Sequence, residues 1–170
     1  GQLPVQPSEV GGSLLKAIGI PNPWSPADPI VESTLWVVRF PRVAMAIAVG
    51  AALAAAGAVM QAVFGNPLAE PGVVGVSSGA ALGAAAAIAF GLSAFGESMV
   101  ATLAFAGGLL ATLLVYAVSR ANGRTEVVTL LLTGIAVNAF AGAGLAFVLF
   151  SASTGNREQI VFWQLGSLGG

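Results

Sequence analysis

The side chains able to do chemistry in this 170-residue chain are few: seven carboxylates and six basic groups, with no His and no Cys. The acids are Glu9, Asp28, Glu32, Glu70, Glu97, Glu126 and Glu158; the bases are Lys16, Arg39, Arg42, Arg120, Arg124 and Arg157. Without His the commonest general base and metal ligand is missing. Without Cys there is no thiol nucleophile, disulfide framework or Cys zinc site. A Ser–His–Asp triad, a zincin centre or a His-ligated haem cannot be assembled from these residues alone, so neither catalytic nor metal-site residues are expected. Six bases set against seven acids also leave no basic footprint for nucleic acid.

Two amides and one loop remain as polar candidates. Gln61 and Asn138 sit inside apolar runs, where an amide must find a partner and where such residues often line pathways. The plainer role for Asn138 is a single interhelical hydrogen bond, and for Gln61 capping or backbone bonding near a helix end. The loop Gly65-Asn66-Pro67-Leu68-Ala69-Glu70-Pro71-Gly72 is stiffened by two prolines with fixed φ. Its Glu70 reads either as a solvated loop acid or as part of a surface shown to a partner.

The elements that carry these residues follow from where charge is absent. Hydrophobic residues make up 56% of the chain and charged residues 8%, against about 25% charged in soluble domains. Uncharged gaps run over 43–69, 71–96, 98–119 and 127–156, and each exceeds the roughly 20 residues a membrane-spanning helix needs. Four transmembrane helices are therefore predicted, near 43–63, 73–90, 98–119 and 128–150, making an all-α, polytopic helix bundle. A barrel strand would alternate apolar and polar residues, whereas 43–58 is almost unbroken Ala, Val, Gly and Leu. Breakers fall between the runs: Gly65-Asn66-Pro67 with Pro71-Gly72, then 91–96, then 120–124. Gly79-Ala-Ala-Leu-Gly83 and the Gly50, Ala54, Gly57 face are small-residue patterns expected at helix–helix contacts in lipid. No ionisable residue lies at mid-span, which disfavours a proton-coupled carrier and places any energy source elsewhere.

Residues 1–42 read as an extramembrane, partly irregular segment, Pro-rich, with one amphipathic stretch from Ser8 to Ile18; residues 151–170 read as a second extramembrane end. No basic region followed by a short apolar core opens the chain, so no signal peptide is expected, and a fragment of a longer polytopic protein is. Lys and Arg near the helix ends number three on the side of the N-terminal segment and two on the other. Taken alone, that weakly places the N-terminal segment in the cytoplasm.

The ordered series Leu35-Trp-Val-Val-Arg39-Phe-Pro-Arg42, Gly50 to Gln61, Asn66-Pro-Leu-Ala-Glu-Pro71-Gly72 and Gly75-Val-Ser-Ser-Gly-Ala80 resembles the permease subunits of binding-protein-dependent ABC importers for iron siderophores, haem and vitamin B12. Leu130-Leu-Leu-Thr-Gly134 and Phe162-Trp163-Gln-Leu-Gly166-Ser167-Leu168 extend the resemblance from about residue 32 to the end. It implies a permease of about ten helices, of which this stretch covers the second to fifth, working as a homodimer in the cytoplasmic membrane. It further implies two ATPase subunits that bind ATP and Mg²⁺, an extracytoplasmic substrate-binding protein, and no cofactor in this chain. The implied cargo is a ferric siderophore or haem, moved by alternating access, with vitamin B12 as the alternative. A non-transporting structural or sensory membrane subunit is the alternative of another class.

The resemblance also implies a topology opposite to the charge count, with 1–42 and 151–170 outside and 64–72 and 120–126 in the cytoplasm. Arg39 and Arg42 then match an Arg-x-x-Arg pair that meets acidic residues of the binding protein, unless they merely snorkel to anchor the helix. By position only, Val127 and Val128 match a cytoplasmic gate that closes by dewetting, or they are simply a helix start.

Overall fold

The computed structural model describes residues 3–121 and 124–168, so the Asn122-Gly123 tip of the expected 120–124 turn lies outside the described residues. The chain divides into two compact units, one built on residues up to Ala51 and the other on Ala52–Ser167.

In the first unit, α1 (Pro7–Ala17) starts at Gln6 with Pro7 in the first turn. There the Gln6 backbone N donates to Glu9 Oε2 at 2.8 Å, which satisfies an otherwise orphaned helix-start amide. Helix α2 (Pro29–Thr34) is capped by Asp28, whose carboxylate accepts from Ile30 N at 2.8 Å. It runs through a π-helical turn (Leu35–Arg39) into α3 (Phe40–Phe64), giving one continuous helical path, Pro29–Phe64, 36 residues long. The segment expected to be partly irregular, with one amphipathic stretch, holds two helices and the start of α3. Buried Ser13 ties them together: Trp36 Nε1 donates to Ser13 Oγ at 2.9 Å, and Ser13 Oγ donates to Glu32 Oε1 at 3.2 Å. Lys16 Nζ lies 3.6 Å from the same Glu32 oxygen.

In the second unit, α4 (Val76–Ala89), α5 (Glu97–Val118) and α6 (Val127–Ser151) are apolar helices, followed by α7 (Thr154–Leu165). Three helical paths, Pro29–Phe64, Ser98–Val118 and Val127–Ser151, are long and apolar enough to cross a membrane. The fourth expected span, 73–90, is shorter than predicted. Gly75 takes φ +83° and separates a 3₁₀ turn (Pro71–Val74) from α4, whose 14 residues reach about 21 Å against roughly 30 Å of hydrocarbon.

Helices α4 and α5 cross backbone to backbone. A Cβ added at Gly79 would sit 2.6 Å from Gly107 O, one at Gly83 would overlap Leu103 O, and one at Gly107 would overlap Gly79 O. The Gly79-x-x-x-Gly83 pattern is therefore a true contact face. The other small-residue face behaves differently: nothing lies within 4 Å of a Cβ placed at Gly50 or Gly57, and α3 buries none of its residues.

Helix α7 is an element that periodicity and charge gaps did not reveal. Ser153 caps it, and its Ile160 is buried among Ala84, Ala85, Ile88, Val100 and Ala104. Arg157 turns back onto the end of α6, its Nε donating to Leu149 O at 3.0 Å and its Nη2 to Ala152 O at 3.2 Å, a match of cation to helix C-terminus. Between α5 and α6, a two-residue antiparallel ribbon pairs Arg120 with Thr125 (β1, Arg120–Ala121; β2, Arg124–Thr125).

Candidate functional site

The loop between α3 and α4 gathers most of the residues singled out by sequence. At the end of α3, Gln61 Nε2 donates to Pro67 O at 2.9 Å; this is the backbone-bonding role. Asn66 Oδ1 accepts from Leu68 N at 2.9 Å, closing a local turn ahead of the two-proline stretch. Glu70 is exposed and precedes the 3₁₀ turn Pro71–Val74.

The two valines at the start of α6 separate. Val127 lines a cavity of about 160 Å³ together with Phe64, Asn66, Leu68, Ala69, Val73 and Leu131. Val128 is exposed. The structure thus brings Val127 to the loop, and Val128 does not line that cavity. At the start of α6 the side chains of its N-cap and third residue meet: Thr129 Oγ1 donates to Glu126 Oε2 at 3.1 Å.

Asn138 joins three segments. Its Nδ2 donates to Gly72 O at 3.1 Å, and its Oδ1 lies 2.5 Å from Ser78 Oγ on α4. One turn earlier on α6, a Cβ at Gly134 would overlap Val73 O, so the 3₁₀ turn rests directly on that helix. The amide does more than a single interhelical bond, since it also closes a backbone carbonyl outside any helix. Ser78 and Gly134 are partners that sequence reasoning did not pair with it. Their only signals were a hydroxyl inside an apolar run and a small residue one turn before Asn138.

The arginine pair lies in the first unit and is not symmetric. The Arg39 guanidinium donates to Leu3 O and is half-buried. Arg42 is exposed and makes no ion pair among the described residues. Beside the pair, the Trp36 and Phe40 rings meet edge to face with centroids 4.8 Å apart. Among the described residues no group of three or more His, Cys, Asp or Glu is placed to hold a metal ion. Chemically, the described residues offer an apolar helical scaffold, a stiff polar loop and, at Arg42, an exposed cation without an ion pair, a set suited to contact and movement.

Comparison with known proteins gives a consistent picture. The profile of the FecCD transport family matches residues 1–170. A cobalamin import system permease protein, BtuC, of Halobacterium salinarum is 44% identical over 133 residues, covering 78% of this chain and 35% of that protein. A vitamin B12 import system permease protein, BtuC, of Escherichia coli O17:K52:H18 is 38% identical over 150 residues, covering 88% of this chain and 45% of that protein. Among solved structures, a chain described as an inward-facing metal-chelate type ABC transporter superposes with a TM-score of 0.75 at 30% identity, over 94% of this chain and 51% of that one. The chain therefore spans half or less of the length of these curated relatives.

Proposed function

Because the chain belongs to the FecCD transport family, we propose that it is part of the membrane-spanning permease subunit of an ABC importer, which carries a bulky metal chelate inward by alternating access. The observation that carries this assignment is the family match across residues 1–170; three membrane-capable helical paths support it. ATP and Mg²⁺ are then bound by two separate ATPase subunits, the path runs between two copies of the permease in the cytoplasmic membrane, and an extracytoplasmic binding protein delivers the cargo. In this arrangement 1–42 and 151–170 face outward, and 64–72 and 120–126 face the cytoplasm.

Cobalamin is the first cargo to test, because the two relatives above are named as cobalamin and vitamin B12 permeases. An iron chelate or haem is the second, supported by the metal-chelate description of the solved neighbour. Arg42, exposed and unpaired among the described residues, suits docking of an acidic lobe, where charge steers encounter more than it adds affinity. Arg39 serves the same surface while holding the N-terminal segment through Leu3 O. Val127, lining the cavity beside the α3–α4 loop, suits a hydrophobic constriction.

The test is reconstitution of the full-length permease with its ATPase and binding protein in liposomes, followed by uptake of cobalamin, a ferric siderophore and haem. ATP-dependent accumulation of cobalamin is expected. ATP-dependent uptake of none of the three, with a binding protein that demonstrably holds its ligand, would point instead to a structural or sensory subunit.

A further inference from the structure

The residue that best links loop and helix is Asn138, near the middle of α6 (Val127–Ser151). At 1.5 Å per residue it stands about 17 Å from the start of that helix. The Gly72 carbonyl that it receives therefore lies level with mid-helix, so the last residue of the 64–72 loop reaches inward from the cytoplasmic side. Backbone that leaves regular structure at such depth has no water to satisfy it and must find its partners within the protein.

Three residues on one face of α6 provide that support. Gly134 has no side chain, and the Val73 backbone rests against it; Val137 packs on Gly75, whose added Cβ would meet Val137 Cγ1 at 2.8 Å. Asn138 takes Gly72 O at 3.1 Å with its amide N–H and meets Ser78 Oγ at 2.5 Å with its oxygen. Positions 134, 137 and 138 are i, i+3 and i+4, hence one face. The same short segment contains the left-handed Gly75, at φ +83°, which ends the 3₁₀ turn and opens α4.

We propose that Asn138 is a positioning residue that locks the Pro71–Gly75 turn and the start of α4 to the middle of α6, so that these parts move as one block. The consequence is mechanical. Any displacement of α6 is delivered to the turn that follows the Asn66–Glu70 loop through the bond to Gly72 O and the Gly134 contact, and to α4 through the Ser78 bond. This holds for a membrane-embedded bundle whatever its cargo.

The test uses the full-length permease in lipid nanodiscs with spin labels at Leu68→Cys, in the loop, and Ile135→Cys, on α6; both positions are exposed, at 86% and 61%. With the labelled protein diluted into unlabelled copies, so that pairs across a dimer do not contribute, a single narrow distance distribution is expected. Asn138→Leu removes both bonds, and the single peak is lost. Ser78→Ala leaves the bond to Gly72 O in place, so it folds and gives a partial broadening. The thermal midpoint is read in parallel. A broad distribution in the parent, or a lowered midpoint with an unchanged peak in both variants, overturns the positioning role. Because the readout is a distance, failure of the transport assignment leaves this result interpretable by itself.

Discussion

Ser78 Oγ and Asn138 Oδ1 lie 2.5 Å apart although 60 positions separate them in the chain. Each side chain stands in a largely apolar helix, and each is half-buried. A polar group buried without a partner loses its hydration and gains nothing in return, whereas a matched pair leaves neither group orphaned. The pair therefore fixes how α4 and α6 register against each other.

A double-mutant cycle measures that relationship. Ser78→Ala and Asn138→Ala are each expected to lower the stability of the full-length protein, by about 1 and about 1–3 kcal/mol respectively, since the second also abandons Gly72 O. The double variant is expected to show a coupling of about 0.6 kcal/mol, with about 1.7 as the ceiling seen for such bonds in membranes. Unfolding in mixed detergent micelles reads all four corners, and strictly additive effects would refute a direct bond.

Two neighbouring glycines of α1 should respond with opposite signs. A Cβ at Gly11 meets nothing within 4 Å, while one at Gly12 would run into the Trp24 backbone and come within 2.5 Å of Ser25 N. Gly11→Ala is expected to stabilise by about 0.5–1 kcal/mol through reduced backbone freedom. Gly12→Ala is expected to destabilise by about 1–3 kcal/mol, because the atoms it meets are backbone and cannot turn aside. Trp24 fluorescence during thermal unfolding reports both.

Charge spacing made the helical scaffold legible, since each uncharged gap holds the body of one apolar helix: α3 from 43 onward, α4 in 71–96, α5 from 98 onward and α6 in 127–156. What stayed hidden depended on three-dimensional neighbours. Gly75 reads as one more glycine among 23, yet its positive φ shortens the second run to a 14-residue helix. Gly79 and Gly57 look equally suited to packing in sequence, and only Gly79 meets another backbone. Asn138 was recognisable as an amide needing a partner. Its partners lie 60 and 66 positions earlier, a separation that local pattern cannot convey. Helix α7 was overlooked because its polar composition broke the apolar pattern, although Ser153 is an ordinary helix cap.

Gly75→Ala combines two penalties. The residue sits at φ +83°, and its added Cβ would approach Val137 Cγ1 at 2.8 Å. The left-handed conformation alone costs an L-residue about 1–2 kcal/mol. A loss of at least that size is expected, with partial recovery in Gly75→Ala/Val137→Ala because the smaller neighbour removes the contact and leaves the strain. Full recovery in the double variant would show that crowding alone mattered.

Ser13→Ala tests the polar hub of the first unit. The hydroxyl is fully buried, accepts from Trp36 Nε1 and donates to Glu32 Oε1. Glu32 Oε2 is already buried without a hydrogen-bond partner, so on loss of the serine the carboxylate keeps Lys16 alone, 3.6 Å from its other oxygen. A loss of about 1–3 kcal/mol is expected, together with an altered Trp36 emission. Unchanged emission would mean that the indole is held by its packing on Phe40 and not by the serine.

The arginine pair gives the sharpest division of roles. Arg42 is exposed and unpaired among the described residues, whereas the Arg39 guanidinium is engaged with Leu3 O. If the surface docks an acidic lobe of the binding protein, Arg42→Glu is expected to slow association by about tenfold at low ionic strength, with the effect fading as salt screens the charges. Arg39→Glu is expected to slow association as well. It should also release the N-terminal segment, visible as faster amide hydrogen exchange around Leu3, which Arg42→Glu leaves unchanged. Stopped-flow association of the binding protein with the full-length permease, repeated across salt concentrations, reads the first effect. A salt-independent loss for Arg42→Glu would remove electrostatic steering from the account and leave that residue as a helix anchor at the membrane interface.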